Sequence, residues 1–270
     1  NMKTYKLLGL IAAVVFTFAS CETEITDPAG IRDVFAVTSF SDVDPAIFID
    51  GSLDDGFVQF TVNAEEGATF EDAYIVVSHN GTSQKKRLKD LSSFPQVVKI
   101  TAVEAATALG MTVADIEVQD YFVFEVEVKI GGKIYRSNGA LTSRVVCPFN
   151  PDLAIGSYTA VSGGWGVNGE VTITADPEDE YTVFVAGLAA IDGEDEDQGP
   201  LVMHINPKNF AVAVDKTVLA SDVAGTPYHD LTYAGFGEYN SCTGTYQMKF
   251  AITVDAGSFG SFDFTIKRND

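Results

Sequence analysis

The sequence predicts an all-β protein with two β-rich halves, and three observations predict it. From about residue 34 to the end, apolar residues alternate with polar ones in short runs, the period of strands with one buried face. Glycine, proline, asparagine and aspartate clusters separate these runs at near-regular intervals, as sequential antiparallel hairpins require. One segment alone carries a helix signature.

Before the β-rich part comes an address. Lys3 and Lys6 precede an apolar run over residues 7–19, and Phe18-Ala19-Ser20 leads directly into Cys21. A positive start, a short apolar core and small residues before the cut describe a secretory signal peptide. A membrane-crossing anchor is the alternative, but it needs roughly 20 apolar residues, and residues 7–20 number fourteen. Residues 1–20 are therefore read as signal. Residues 21–33, polar and holding Pro28 and Gly30, are read as a tether.

The first half, residues 34–147, opens with Val58, Phe60 and Val62 on one face of a strand. Residues 74–78, 85–89 and 96–100 supply three more. Tyr121–Ile130 is the clearest strand: Phe122, Phe124, Val126, Val128 and Ile130 face one way, Glu125, Glu127 and Lys129 the other. Gly131-Gly132 suits a two-residue hairpin turn, whose central residues need positive φ. The helix lies over residues 102–109. Thr101 and Glu104 form a capping box, and Gly110 is its stop.

Cys147-Pro148-Phe149-Asn150-Pro151 breaks the pattern, and the boundary is placed there. Residues 148–270 then hold about eight strands: 169–174, 180–186, 201–205, 210–214, 216–219, 231–233, 245–254 and 259–266. Such a meander closes as an antiparallel sandwich or an up-and-down barrel.

Composition narrows the partners. The formal charge is −21, which repels phosphate backbones, so nucleic acid is excluded as a partner. Apart from Cys21, which follows the expected cut, Cys147 and Cys242 are the one remaining pair. Outside the cytoplasm such a pair is oxidised, and in the chain-entropy account a loop this long contributes about 4–5 kcal/mol. Two separate thiols are the alternative.

Several segments resemble a known family. Cys21 after its small residues is similar to a bacterial lipobox, which implies a lipid-modified cysteine and a membrane anchor. The helix with Ala108-Leu109-Gly110, the strand, the Gly-Gly turn and Tyr135-Arg136-Ser137-Asn138 resemble the N-terminal immunoglobulin-like spacer of SusE/SusF-type surface lipoproteins. Gly156-Ser157-Tyr158 and Ser241-Cys242-Thr243-Gly244-Thr245-Tyr246 look like the C-terminal β domain of related accessory lipoproteins. There, a cysteine near the domain start pairs with one in a late Cys-x-Gly segment, which matches Cys147 and Cys242. The resemblance implies a cell-surface lipoprotein of the outer membrane, associated with a SusCD-like glycan importer or other surface lipoproteins. The chain departs from SusE and SusF in carrying one β domain after the spacer.

Sugar recognition stacks aromatic rings on pyranose faces, so glycan candidates are Trp165, the single tryptophan, and Tyr158, with Tyr228, Tyr233, Phe236 and Tyr239 in a glycine-containing run. Filling the mouth of the β domain is their alternative use. Residues 192–199 hold five acids. Asp192, Glu194, Asp195 and Asp197 could ligate Ca²⁺, or the run is a solvated, mobile acidic loop. His79, His204 and His229 lie in no H-E-x-x-H pattern, and there is no G-x-S-x-G elbow, so no enzyme is expected. The expectation is a non-enzymatic lipoprotein that captures glycan for an importer or docks on it. A structural subunit of a surface complex and a small-molecule carrier barrel are the alternatives.

Overall fold

The structure, a computed structural model, describes residues 38–137 and 139–269. The expected signal peptide, Cys21 and the tether lie outside the described residues.

Nine strands build the first region: β1 (Ser39–Ser41), β2 (Phe48–Ile49), β3 (Phe57–Asn63), β4 (Asp72–His79), β5 (Lys86–Asp90), β6 (Gln96–Thr101), β7 (Tyr121–Ile130), β8 (Lys133–Arg136) and β9 (Leu141–Val146). They form a sheet of order β1-β3-β6 and a second of order β2-β9-β7-β4-β5, with β8 paired to β7. Taking β3, β4, β6, β7 and β9 as B, C, E, F and G gives A-B-E facing G-F-C-C′, an immunoglobulin-like order. The alternation in sequence sets which face is buried. Val58, Phe60 and Val62 of β3 meet Phe122, Phe124 and Val126 of β7 in one core. Helix α1 (Ala102–Leu109) is capped as the sequence expects. Thr101 Oγ1 accepts from the Glu104 amide at 3.0 Å, and Glu104 accepts from the Thr101 amide at 2.8 Å. Gly110 ends it at φ 76°, and Ala102, Ala105 and Ala106 bury its inner face. Gly131 and Gly132 turn β7 into β8 at φ 57° and 78°.

Eight strands build the second region: β10 (Gly156–Ser162), β11 (Val167–Ala175), β12 (Thr182–Ala186), β13 (Leu201–Ile205), β14 (Ala211–Asp222), β15 (His229–Asn240), β16 (Thr245–Val254) and β17 (Gly257–Arg268). Each pairs antiparallel with its chain neighbour, and β10 pairs with β17, so the sheet is a closed up-and-down barrel. Closure removes the exposed edges that an open sheet would present. Aromatic rings meet across its interior: Phe250–Phe264 at 5.0 Å, Tyr233–Phe250 at 5.7 Å and Tyr158–Tyr246 at 5.8 Å. Outward positions such as Glu170, Thr172, Lys249 and Asp263 are polar and exposed. An apolar inside and a polar outside is the reverse of a membrane-spanning barrel.

Three expectations from the sequence need correction here. Residues 156–162, not expected as a strand, are β10. Residues 210–214 and 216–219, expected as two strands, fall in and beside one, β14, whose register slips beside Asp215 and Lys216. Residues 231–233, the short strand expected in the glycine-containing run before Cys242, are part of a longer one, β15, that spans the run. A Cβ at Gly235 would fall 2.1 Å from Lys249 O, and one at Gly237 2.2 Å from Gln247 O. Glycine serves close strand approach here, not a turn.

The near end of the barrel, facing the sandwich, is tied down. Cys147 and Cys242 form a disulfide. Between the regions a single helical turn, α2 (Pro151–Ala154), is capped by Asn150. Tyr158 Oη donates to Leu153 O, and Tyr246 Oη to Ala154 O at 2.8 Å. Lys208 pairs with Asp44 of the sandwich, and the Ala46 amide donates to Lys208 O. Sandwich and barrel belong to one compact unit.

Candidate functional site

Up-and-down connectivity sends alternate loops to the far end: 163–166, 187–200, 223–228 and 255–256. Segments distant in sequence therefore converge there.

The turn between β10 and β11 presents Trp165. Ser162 holds the turn from both sides: its carbonyl accepts the Gly166 amide at 2.8 Å, and its hydroxyl accepts the Trp165 amide at 3.2 Å. Gly166 at φ 85° supplies the conformation that an L side chain resists. The half-buried indole packs on Phe262 at 4.9 Å and Phe259 at 5.4 Å between centroids, and Phe259 meets Tyr228 at 6.1 Å. Four rings thus share one end, and Phe259 is 40% exposed.

The acidic run completes the site. Ala190–Asp192 is a single 3₁₀ turn. It lies over β11 at Gly169, where a Cβ would sit 2.5 Å from Ile191 Cγ2. Asp192 Oδ2 accepts the Trp165 indole N–H at 2.9 Å. Burial pushes the Asp192 carboxyl up; the indole bond opposes this, and Glu194 adds to it. Glu196 accepts the Gly187 and Ala189 amides, both at 2.8 Å. Glu194 accepts the Ala224 amide at 2.7 Å, and Asp197 the Ser221 amide and hydroxyl at 2.8 and 2.7 Å.

That arrangement corrects two expectations about the run. The loop is pinned by four carboxylates rather than left mobile: Asp192 on Trp165, Glu194 on Ala224, Asp197 on Ser221, and Glu196 on two amides of the loop itself. Asp192, Glu194, Asp195 and Asp197 are not gathered as a calcium site. The oxygens of Asp192, Glu194 and Asp197 turn apart onto separate partners, and Asp195 is exposed. Among the described residues, no three His, Cys, Asp or Glu side chains group to hold a metal ion.

Charge at this end is one-sided. Residues 162–167, 187–201, 218–231 and 251–261 contain no lysine or arginine. They contain eight acids: Asp192, Glu194, Asp195, Glu196, Asp197, Asp222, Asp230 and Asp255. His229 is the one basic side chain in those segments, with Nδ1 2.6 Å from Asp222 Oδ1. That partner raises the His229 pKa.

Beneath the platform lies Tyr233, fully buried, whose hydroxyl makes no hydrogen bond. Burial drives this phenol far above its usual range, and the charge of Asp192 pushes it further, with the Trp165 N–H acting the other way.

Of the aromatic candidates, Trp165 and Tyr228 both pack on Phe259 at the surface, whereas Tyr233 is fully buried in the core and offers no ring face to a ligand. Tyr158 and Tyr239 are core residues at the near end and offer no ring face to a ligand. Phe236 stands alone on the outer wall, 66% exposed, beside Lys249 across the strand pair. Phe259 and Phe262 escape a reading of the sequence because β17 has the pattern of a core strand. The glycines in Gly257-Ser258-Phe259-Gly260 are the signal that rings there meet solvent.

One hydroxyl–imidazole–carboxylate chain exists elsewhere: Thr182 Oγ1 and His204 Nδ1 are 2.8 Å apart, and His204 Nε2 is 3.1 Å from Asp215. Thr182 is 4% exposed, and its hydroxyl donates to Asp179 at 2.7 Å. Its proton is thus already committed, unlike that of an activated nucleophile.

No family model, curated protein or solved structure matches this chain.

Proposed function

We propose that this is a surface-tethered, non-enzymatic binding protein. Lipid on Cys21 anchors it in the outer membrane, the sandwich acts as a spacer, and the far end of the barrel captures saccharide for a SusCD-like importer. The observation that carries the reading is the four-ring platform of Trp165, Phe259, Phe262 and Tyr228, with the Asp192 carboxylate bonded into its edge. Rings supply stacking area and a partly desolvated carboxylate supplies direction, the combination that a saccharide's apolar faces and hydroxyls call for. Tethering then raises the local concentration of substrate beside a transporter.

The test is calorimetry and affinity electrophoresis of the full chain with Cys21→Ser, against a polysaccharide panel, beside Trp165→Ala. Capture predicts binding to at least one glycan, weakened at least tenfold by the variant, about the size of a central aromatic contact. Binding to none contradicts it. A second reading, docking on another protein, is favoured by Phe236, whose exposed ring sits on the barrel wall away from the platform. It predicts that Phe236→Ser reduces co-purification of a membrane partner while saccharide binding is unchanged.

A further inference from the structure

We propose that the platform selects amine-bearing, cationic saccharides, anchors their ammonium group at Asp192, and turns polyanionic ones away. This rests on the capture reading and adds the chemical class of the ligand.

Two independent observations converge. The first is the charge field. The far end carries eight acids and no lysine or arginine, and several of those acids are fixed in place by backbone amides. Fixed carboxylates around an apolar surface attract a cation from solution and repel an anion. The rings act in the same direction, because an aromatic face attracts ammonium through its quadrupole.

The second is unfilled hydrogen-bonding capacity inside the platform. Asp192 accepts a single hydrogen bond, from the indole, while a carboxylate has about four acceptor positions. An ammonium brings three donors and no acceptor. It would occupy the free positions on Asp192 without displacing Trp165. A ligand carboxylate or sulfate offers no donor and meets like charge.

The experiment titrates the full chain with Cys21→Ser, by calorimetry at about pH 6.5, where a sugar amine is largely protonated. The probes are a glucosamine hexamer, its N-acetylated counterpart and a galacturonate hexamer. The free-amine oligomer is expected to bind at least tenfold tighter than the N-acetylated one. Its affinity is expected to fall severalfold between about 50 and about 500 mM salt, as screened charges require. The galacturonate oligomer is expected not to bind. Asp192→Asn keeps an oxygen for the indole N–H and removes the charge. It should erase the amine preference, about tenfold, whereas Trp165→Ala should weaken both oligomers and keep the preference. Equal binding of the amine and N-acetylated forms, binding of galacturonate, or an amine preference that survives Asp192→Asn would each overturn the proposal and leave capture standing. Failure of every saccharide to bind would overturn capture itself.

Discussion

The two ends of the barrel are built from the same strands and closed by the same kinds of ring, yet they are finished differently. At the near end, two buried tyrosine hydroxyls donate to backbone, Tyr158 to Leu153 O and Tyr246 to Ala154 O, while that of Tyr239 has no partner. Burial holds the Tyr158 pKa at about 12, so the neutral phenol makes this bond across the ordinary pH range. A disulfide closes the same end. At the far end, the Tyr233 hydroxyl is likewise without a partner, but eight acids stand in loops and strand ends that contain no lysine or arginine. Satisfied groups and covalent closure stabilise a fold. Unbalanced charge costs stability and suits a surface that meets a ligand of opposite sign. The near end thus reads as the structural half of the domain and the far end as its binding half.

The largest way to break this contrast is the disulfide. Replacing Cys147 and Cys242 together by serine should cost about 4–5 kcal/mol, the loop-closure contribution for a separation of 95 residues. Urea denaturation measures it, and saccharide binding by the folded fraction should be unchanged. Next comes barrel closure: Gly237→Ala drives a methyl into Gln247 O and Met248. It should lower stability by about 3 kcal/mol or prevent folding, read from the thermal midpoint.

The tyrosine pair sharpens the contrast most cleanly. Tyr246→Phe leaves the Ala154 carbonyl without its partner and should cost about 1–2 kcal/mol. Tyr233→Phe removes a hydroxyl that bonds to nothing, so it should be neutral or stabilise by up to about 1 kcal/mol. Equal losses in the two variants would erase the distinction between a bonded hydroxyl and an unbonded one.

The smallest effect is electrostatic and opposes itself within one loop. The Asp192 pKa is raised by burial, so the folded state holds its proton more tightly than the unfolded chain. Its contribution to stability is therefore present in acid and lost as pH rises through the folded pKa. The Asp197 pKa is lowered by its bonds to Ser221, so its contribution is present above the unfolded value and lost as pH falls through the folded one. Carbon-detected NMR titration of the two carboxyls should find Asp192 above, and Asp197 below, the usual aspartate value.

Much of the fold is legible in the sequence, because it rests on local signals. The alternation in β7, the Gly131-Gly132 turn and the Thr101–Glu104 capping box each depend on residues within one element or turn. The strand count in the second half agrees at eight for offsetting reasons: the pattern splits β14 in two and does not reveal β10. What is hidden is non-local. Gly235 and Gly237 look like loop residues until β16 is placed against them. Nothing in the spacing of Trp165, Asp192 and Phe259 says that they meet. The acidic run shows its charge in the sequence but not its bonding, because which amide each carboxylate accepts depends on where β11 and β14 pass.

The most direct test of the division between the ends is a saccharide titration followed by backbone and indole N–H resonances. The division predicts that shifts concentrate in loops 163–166, 187–200 and 223–228 and at the start of β17, with the Trp165 indole N–H among the largest. An unmoved indole, with shifts gathered instead around Tyr121, Arg144 and Glu238 in the cleft between sandwich and barrel, would contradict it.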